Sequence, residues 1–152
     1  MDLQAWVHAH KGTHVINRLL IANNGLAAVK AIMSIREWAQ DNFQQSHIIS
    51  IVCMATKEDI KSNSEFIRMS DELIEVPGGT NANNYANIQV IVTTALRAHC
   101  DAVWAGWGHA SENPELPRAL LENGLLWLGP GAEAMETLGD KIRSTLIAQN
   151  CG

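Results

Sequence analysis

Apolar residues along this chain fall into five short unbroken runs, and between the runs they recur at helical spacing. Leu19-Leu20-Ile21-Ala22, stopped by Asn23-Asn24-Gly25, has the pattern of a strand buried on both faces and closed by a tight turn. Leu26, Val29, Ile32, Met33 and Phe43 then recur as one face of a helix. Residues 48–54 form a second apolar, β-branched run, residues 57–70 a charged helical stretch, and residues 73–76 a brief third strand. Pro77-Gly78-Gly79 breaks regular structure, and residues 80–84 form a polar loop. Ile88, Ile91, Val92 and Ala95 sit at i, i+3, i+4 and i+7, which predicts a helix over 86–98 with one buried stripe. Residues 102–105 give a fourth strand that runs into Gly106-Trp107-Gly108-His109. Asn113-Pro114 opens a helix with Gly124 past its end, and residues 125–128 form a fifth strand stopped by Gly129-Pro130-Gly131. Two short helices, 132–138 and 140–150, are divided by Gly139, and Gly152 is a natural stop for the second. Residues 1–17 show no periodicity and are assigned to an N-terminal arm, leaving 18–152 as the domain.

Five strands separated by helical segments, with connections too long for hairpins, require right-handed crossovers and a parallel sheet covered on both faces. The predicted fold is therefore a Rossmann-like doubly wound α/β domain. The length of 152 residues suits one core, and 47% hydrophobic against 18% charged residues excludes a disordered, collagenous or low-complexity chain. With 11 Lys+Arg against 16 Asp+Glu the net charge is −5, and no basic cluster is present to neutralise a nucleic-acid backbone. No apolar run approaches the ~20 residues needed to span a bilayer, and the start has no apolar signal core, so neither a membrane span nor export is expected. Cys53, Cys100 and Cys151 lack the paired spacing of a disulfide framework, a zinc site or a redox motif, which fits a reducing compartment.

Ligands of an open parallel sheet bind beyond the carboxyl ends of its strands. That singles out residues 23–25, 106–113 and 129–141. The first turn lacks the G-x-G-x-x-G fingerprint, and Met54-Ala55-Thr56 ends the second strand without a ribose-binding acid. A nicotinamide site is thus disfavoured, and a tight turn needing Gly25 is the simpler account. In the second segment two tryptophans and two glycines meet at a strand end. Either a flat ligand or close backbone approach rewards them, or Trp104 belongs to the core, Trp107 is a packing plug and His109 an ordinary loop residue. In the third, Lys141 opens a helix on the unfavourable side of the macrodipole, at a cost of ~0.3–1 kcal/mol. An anion held between its ammonium and the free N–H groups would offset that cost, and an ordinary surface lysine is the alternative. Glu58, Asp59, Asp71, Glu72 and Glu75 are most simply a solvated face. No Walker loop, H-E-x-x-H pair or nucleophile elbow occurs, so no catalytic residue and no metal ligand is assigned.

Four segments carry a resemblance: LIANNGLAAVK from Leu20, VPGG from Val76 with NNYAN from Asn83, AVWAGWGHASENP from Ala102, and LGDK from Leu138. In order and spacing they closely resemble the N-terminal domain of the biotin carboxylase family, in the branch that serves eukaryotic-type acetyl-CoA carboxylases. The likeness covers residues 18–152, and the tryptophan at 107, where other branches usually carry tyrosine, places it in that branch. The resemblance implies a pre-ATP-grasp domain of a ligase that uses ATP with Mg2+ or Mn2+ to activate bicarbonate as a carboxyphosphate species. The carboxyl group then passes to biotin on a carrier domain, leading to malonyl-CoA for fatty acid synthesis. It implies that Lys141 contacts ATP and that Trp107 and Gly108 lie near the biotin ring. The partners it implies are the remaining biotin carboxylase subdomains, the biotin carrier domain and bicarbonate, within an oligomeric, cytoplasmic or plastid enzyme. In the family the lid, the metal-binding carboxylates, the bicarbonate-binding arginine and the base lie beyond the position of Gly152, so residues 1–152 alone are expected to turn nothing over. Met33 stands where many eukaryotic relatives have arginine, so the family's regulatory surface is not carried over. The competing classes are a non-catalytic binding module of the same fold and, more remotely, a nicotinamide-binding domain.

Overall fold

A computed structural model describes residues 2–151, so Gly152 and its expected helix stop lie outside the described residues. Strands β1 (Arg18–Ile21), β2 (Ser50–Ala55), β3 (Glu72–Glu75), β4 (Ala102–Trp104) and β5 (Leu126–Trp127) form one sheet in the order β3-β2-β1-β4-β5. Every pairing is parallel; Leu20 faces Val52 on one side and Val103 on the other. Because side chains alternate across the pleat, each strand feeds two cores. Leu20, Val52, Met54 and Val103 pack with α5 (Ile88–Arg97) and α6 (Glu115–Glu122) on one face. Leu19, Ile21, Ile51 and Cys53 pack with α2 (Gly25–Phe43) and with Phe66 of a short helix, α4 (Glu65–Met69), on the other. Burial on both faces is why the strands are unbroken apolar runs, and it establishes the doubly wound α/β architecture.

The differences from expectation sit where elements are short. Residues 57–70 are not one helix. They divide into α3 (Lys57–Lys61) and α4 at Asn63, whose φ of +48° no helix interior tolerates. Within the arm, α1 (Leu3–Ala9) forms without visible periodicity, because Asp2 Oδ1 accepts from Ala5 N at 2.7 Å and Trp6 sets its edge against Trp38 and Phe43 at the end of α2. Asn113 Oδ1 accepts from Glu115 N at 3.0 Å, so it supplies the cap chemistry expected of it, although α6 begins after Pro114. At the end of the chain, α7 (Ala132–Gly139) and α8 (Lys141–Asn150) are divided at Asp140.

The acidic residues are not merely a solvated face. Asp71, just before β3, accepts from Ile51 N at 2.7 Å, from the Arg36 guanidinium and from His47 Nδ1 at 2.6 Å. Arg36 also donates to the carbonyls of Ser46 and Ile49, so this cluster ties α2 to the loop entering β2. Glu72 pairs with Arg18 across the sheet. Burial pushes the Asp71 carboxyl up, but the Ile51 N–H, Arg36 and His47 outweigh it and hold the group below the ordinary carboxylate range. A carboxyl depressed on folding adds stability that is complete above its unfolded pKa of ~3.9 and is lost as pH falls through the folded value. In urea unfolding followed against pH, Asp71→Asn is therefore expected to be less stable than wild type at pH 7 and to show a shallower loss below about pH 4. Superimposable profiles would contradict this account of Asp71.

Candidate functional site

The sheet order changes direction at the β1/β4 pair, and the chain leaves both strands at the same end. Beyond β1, Ala22 N extends the pairing by donating to Trp104 O at 2.8 Å. Asn23 follows, 3% exposed, with its Nδ2 donating to Ala105 O at 2.6 Å and to Trp107 O at 3.0 Å. Its Oδ1 accepts from Asn24 N at 2.8 Å. Gly25 then takes φ +54° and opens α2, as the tight turn required. The turn is legible in the sequence; the burial of Asn23 and its link to the loop after β4 are not.

That loop is shaped by its glycines. Gly106 has φ +68°, and a Cβ built on it would lie 2.5–3.0 Å from the Trp104 indole. Glycine is needed there both for its dihedrals and because the ring lies against it. Gly108 also has φ +68°, but nothing stands within 4 Å of a Cβ there, so its backbone faces open space. Between them Trp107 is 62% exposed, which overturns the packing-plug alternative: a plug would be buried. Trp104 is partly buried against the α2-side core, as expected of a core residue.

His109 is likewise not an ordinary loop residue. It adopts φ +51°, and its ring lies 5.4 Å from that of Tyr85, a fully buried side chain. The Tyr85 hydroxyl donates to Asp59 Oδ2 at 2.7 Å and lies 3.2 Å from Met54 O. Burial and the adjacent Asp59 carboxylate push the Tyr85 phenol up, so it remains a neutral donor. Asp59 also completes a capping box with Thr56 at the start of α3, which removes a second acid from the supposed solvated face. Through Tyr85, the end of β2 therefore touches the loop beyond β4. Alongside the loop, Lys30, Ala31, Ile35, Trp104, Trp107 and Leu128 help to line a largely apolar groove of about 420 Å³.

Lys141 is not among the residues that line this groove. It is the first residue of α8, exposed, and in no ion pair among the described residues. Its helix start differs from the expectation of free N–H groups: Asp140 Oδ1 accepts from Ile142 N at 2.8 Å and Arg143 N at 2.9 Å. These two backbone bonds, Arg143 first, hold the Asp140 carboxyl below its ordinary range. The anion favoured by a helix N-terminus is thus the chain's own, and Lys141 keeps an uncommitted ammonium beside it. Trp107 and Gly108 share one loop; among the described residues no hydrogen bond or ion pair joins Lys141 to that loop.

Other chemistry is sparse. Burial pushes the Cys53 and Cys100 thiols up to about 12 and about 11, too high for thiolate nucleophiles at neutral pH. Among the described residues no three His, Cys, Asp or Glu side chains cluster to hold a metal ion, and no helix is long and apolar enough to cross a membrane.

Comparison with known proteins adds independent findings. The family described as biotin carboxylase, N-terminal domain, matches residues 15–135. Acetyl-CoA carboxylase 1 of Oryza sativa subsp. japonica is 59% identical over 151 residues, covering 99% of this chain and 7% of that protein. Acetyl-CoA carboxylase of Saccharomyces cerevisiae is 55% identical over 150 residues, covering 97% of this chain and again 7% of the relative. The chain thus spans about 7% of the length of these relatives. Among solved structures, the biotin carboxylase domain of a thermophilic 2-oxoglutarate carboxylase bound to bicarbonate aligns with a TM-score of 0.77 at 27% identity, over 89% of this chain and 28% of that one. A complete multifunctional pyruvate carboxylase from Rhizobium etli aligns at 0.75 and 25% identity, over 89% of this chain and 12% of that one.

Proposed function

Because this chain belongs to the family of biotin carboxylase N-terminal domains, we propose that it forms the scaffold and one edge of the site at which an acetyl-CoA carboxylase carboxylates carrier-bound biotin with bicarbonate and ATP. The observation that carries this reading is the exposed Trp107 indole, held between two glycines where the ends of β1 and β4 meet. That is the crevice in which doubly wound sheets bind ligands.

Each residue has a physical part in it. Trp107 offers a flat apolar face against which the biotin ring would rest, and a stacked contact of this kind gains from dispersion and desolvation. Gly108 leaves the approach beside it open, since no atom lies where a side chain would meet one. Lys141 presents a charge to the ATP phosphates from a helix start where the N–H groups of Ile142 and Arg143 are already satisfied by Asp140. Its contribution is therefore that of a point charge, not of an anion cradle. ATP supplies the phosphoryl group that activates bicarbonate, and biotin carries the carboxyl group onward. The described residues fit a biotin-facing and a phosphate-facing edge, but they do not fit a divalent cation, for which no ligand cluster is present among them. Mg2+ or Mn2+, the bicarbonate contacts and the base are assigned to other parts of the protein, as are the carrier domain and any oligomer contacts. A reducing compartment suits the free cysteines, and the reading places the protein in the cytoplasm.

The test is a graft in which this chain replaces the matching 150 residues of the Saccharomyces cerevisiae enzyme. The graft is expected to cleave ATP in a bicarbonate- and biotin-dependent manner, while the purified 152-residue chain cleaves none. An inactive but folded graft, or bicarbonate-dependent cleavage by the chain alone, would overturn the reading.

A further inference from the structure

Asn23 is an anomaly in an otherwise apolar strand end. It follows four consecutive residues that are at most 2% exposed, Leu19 to Ala22, and is itself 3% exposed. A buried amide is tolerated only when its donors and acceptor are satisfied, and here they are satisfied in one direction. Its Nδ2 spends both hydrogens on Ala105 O and Trp107 O, the carbonyls on either side of Gly106. Neither carbonyl accepts another hydrogen bond among the described residues. The Oδ1 bond to Asn24 N fixes which way the amide points, so the donors cannot flip away.

The segment that Asn23 grips needs such a grip. Gly106 and Gly108, both at φ +68°, flank Trp107 and give the loop wide conformational freedom. Contact between the Tyr85 and His109 rings restrains its far side, but among the described residues Asn23 alone bonds to the backbone of Trp107 itself. We propose that Asn23 is a positioning residue: by bracketing Gly106 with two hydrogen bonds it sets the direction in which Trp107 meets the biotin ring. The inference rests on the reading of Trp107 as biotin-proximal and goes beyond it, since Asn23 would touch neither biotin nor ATP.

In the Saccharomyces cerevisiae graft, Asn23→Asp preserves the size and the Oδ1 acceptor but loses both donors, and Asn23→Ala removes the amide. Each is expected to raise KM for biotin roughly fivefold or more while KM for ATP stays within about twofold. In a Trp107→Ala background, Asn23→Ala should raise KM for biotin no further, because the residue it positions is gone. A fall in kcat with both KM values unchanged, parallel changes in both KM values, or full additivity with Trp107→Ala would reduce Asn23 to a structural residue and overturn the proposal. If Trp107→Ala alone leaves KM for biotin unchanged, the underlying reading of Trp107 fails instead. Should the Asn23 variants not fold, hydrogen exchange in the wild-type chain decides. The Asn23 side-chain amide protons are expected to exchange about tenfold or more slowly than those of the exposed Asn63, and equal rates would overturn the proposed grip.

Discussion

Lys141→Ala in the grafted carboxylase is expected to raise KM for ATP roughly ten- to a hundredfold, the loss of one hydrogen bond to a charged group. The same substitution should leave thermal unfolding of the chain unchanged to within about 1–2 °C, because an exposed surface side chain in no ion pair stabilises little. Both halves follow from the start of α8. Asp140 satisfies the N–H groups of Ile142 and Arg143, so helix initiation does not depend on the lysine. A lysine in the first turn even opposes the macrodipole, and its removal relieves a small penalty of ~0.3–1 kcal/mol. Steady-state kinetics and a melting curve check the pair of expectations. An unchanged KM for ATP, or a melting temperature lowered by several degrees, would show that Lys141 serves the fold and not the nucleotide.

Gly106→Ala is expected to be the most damaging small substitution in the site loop, destabilising the chain by about 2–4 kcal/mol in urea unfolding. Two costs combine. The residue must hold φ +68°, where an L side chain costs roughly 1–2 kcal/mol, and its Cβ would lie 2.5–3.0 Å from three atoms of the Trp104 indole. Trp104 is packed against the α2-side core and cannot yield freely. Gly108→Ala provides the control, with the same φ of +68° but no atom within 4 Å of the new carbon. It should carry only the backbone penalty, about 1–2 kcal/mol. Equal losses at the two positions would show that the contact with Trp104 adds nothing.

The sheet was legible because its strands are buried on both faces and so appear as uninterrupted apolar runs; the parallel order followed from the length of the connections. The short helices were not. α3 and α4 have five residues each, too few to display a period, and the break at Asn63 rests on a single backbone conformation. α1 depends on Trp6 meeting Trp38 and Phe43, contacts between segments some thirty residues apart in sequence. Asp71 was indistinguishable from its acidic neighbours because its partners, Arg36 and His47, lie 35 and 24 residues away. Within the site, the glycines around Trp107 announced an unusual loop, but the pattern could not say whether the indole pointed inward or out. Asn23-Asn24-Gly25 announced a turn, and turn chemistry alone does not reveal which asparagine is buried or what it holds. At Asp140-Lys141 the aspartate carries the cap signal, and its carboxylate, not an external anion, takes the N–H groups at the helix start.

The proposed function requires that Trp107 and Lys141 border one carboxylating pocket whose other walls come from the rest of the protein. The most direct measurement is the structure of the graft with ADP and biotin bound. The Lys141 ammonium is expected within hydrogen-bonding distance of the nucleotide, about 3 Å, and the Trp107 indole against the biotin ring of the same pocket. Lys141 turned to solvent beside a bound nucleotide, or Trp107 on a face remote from both ligands, would contradict it.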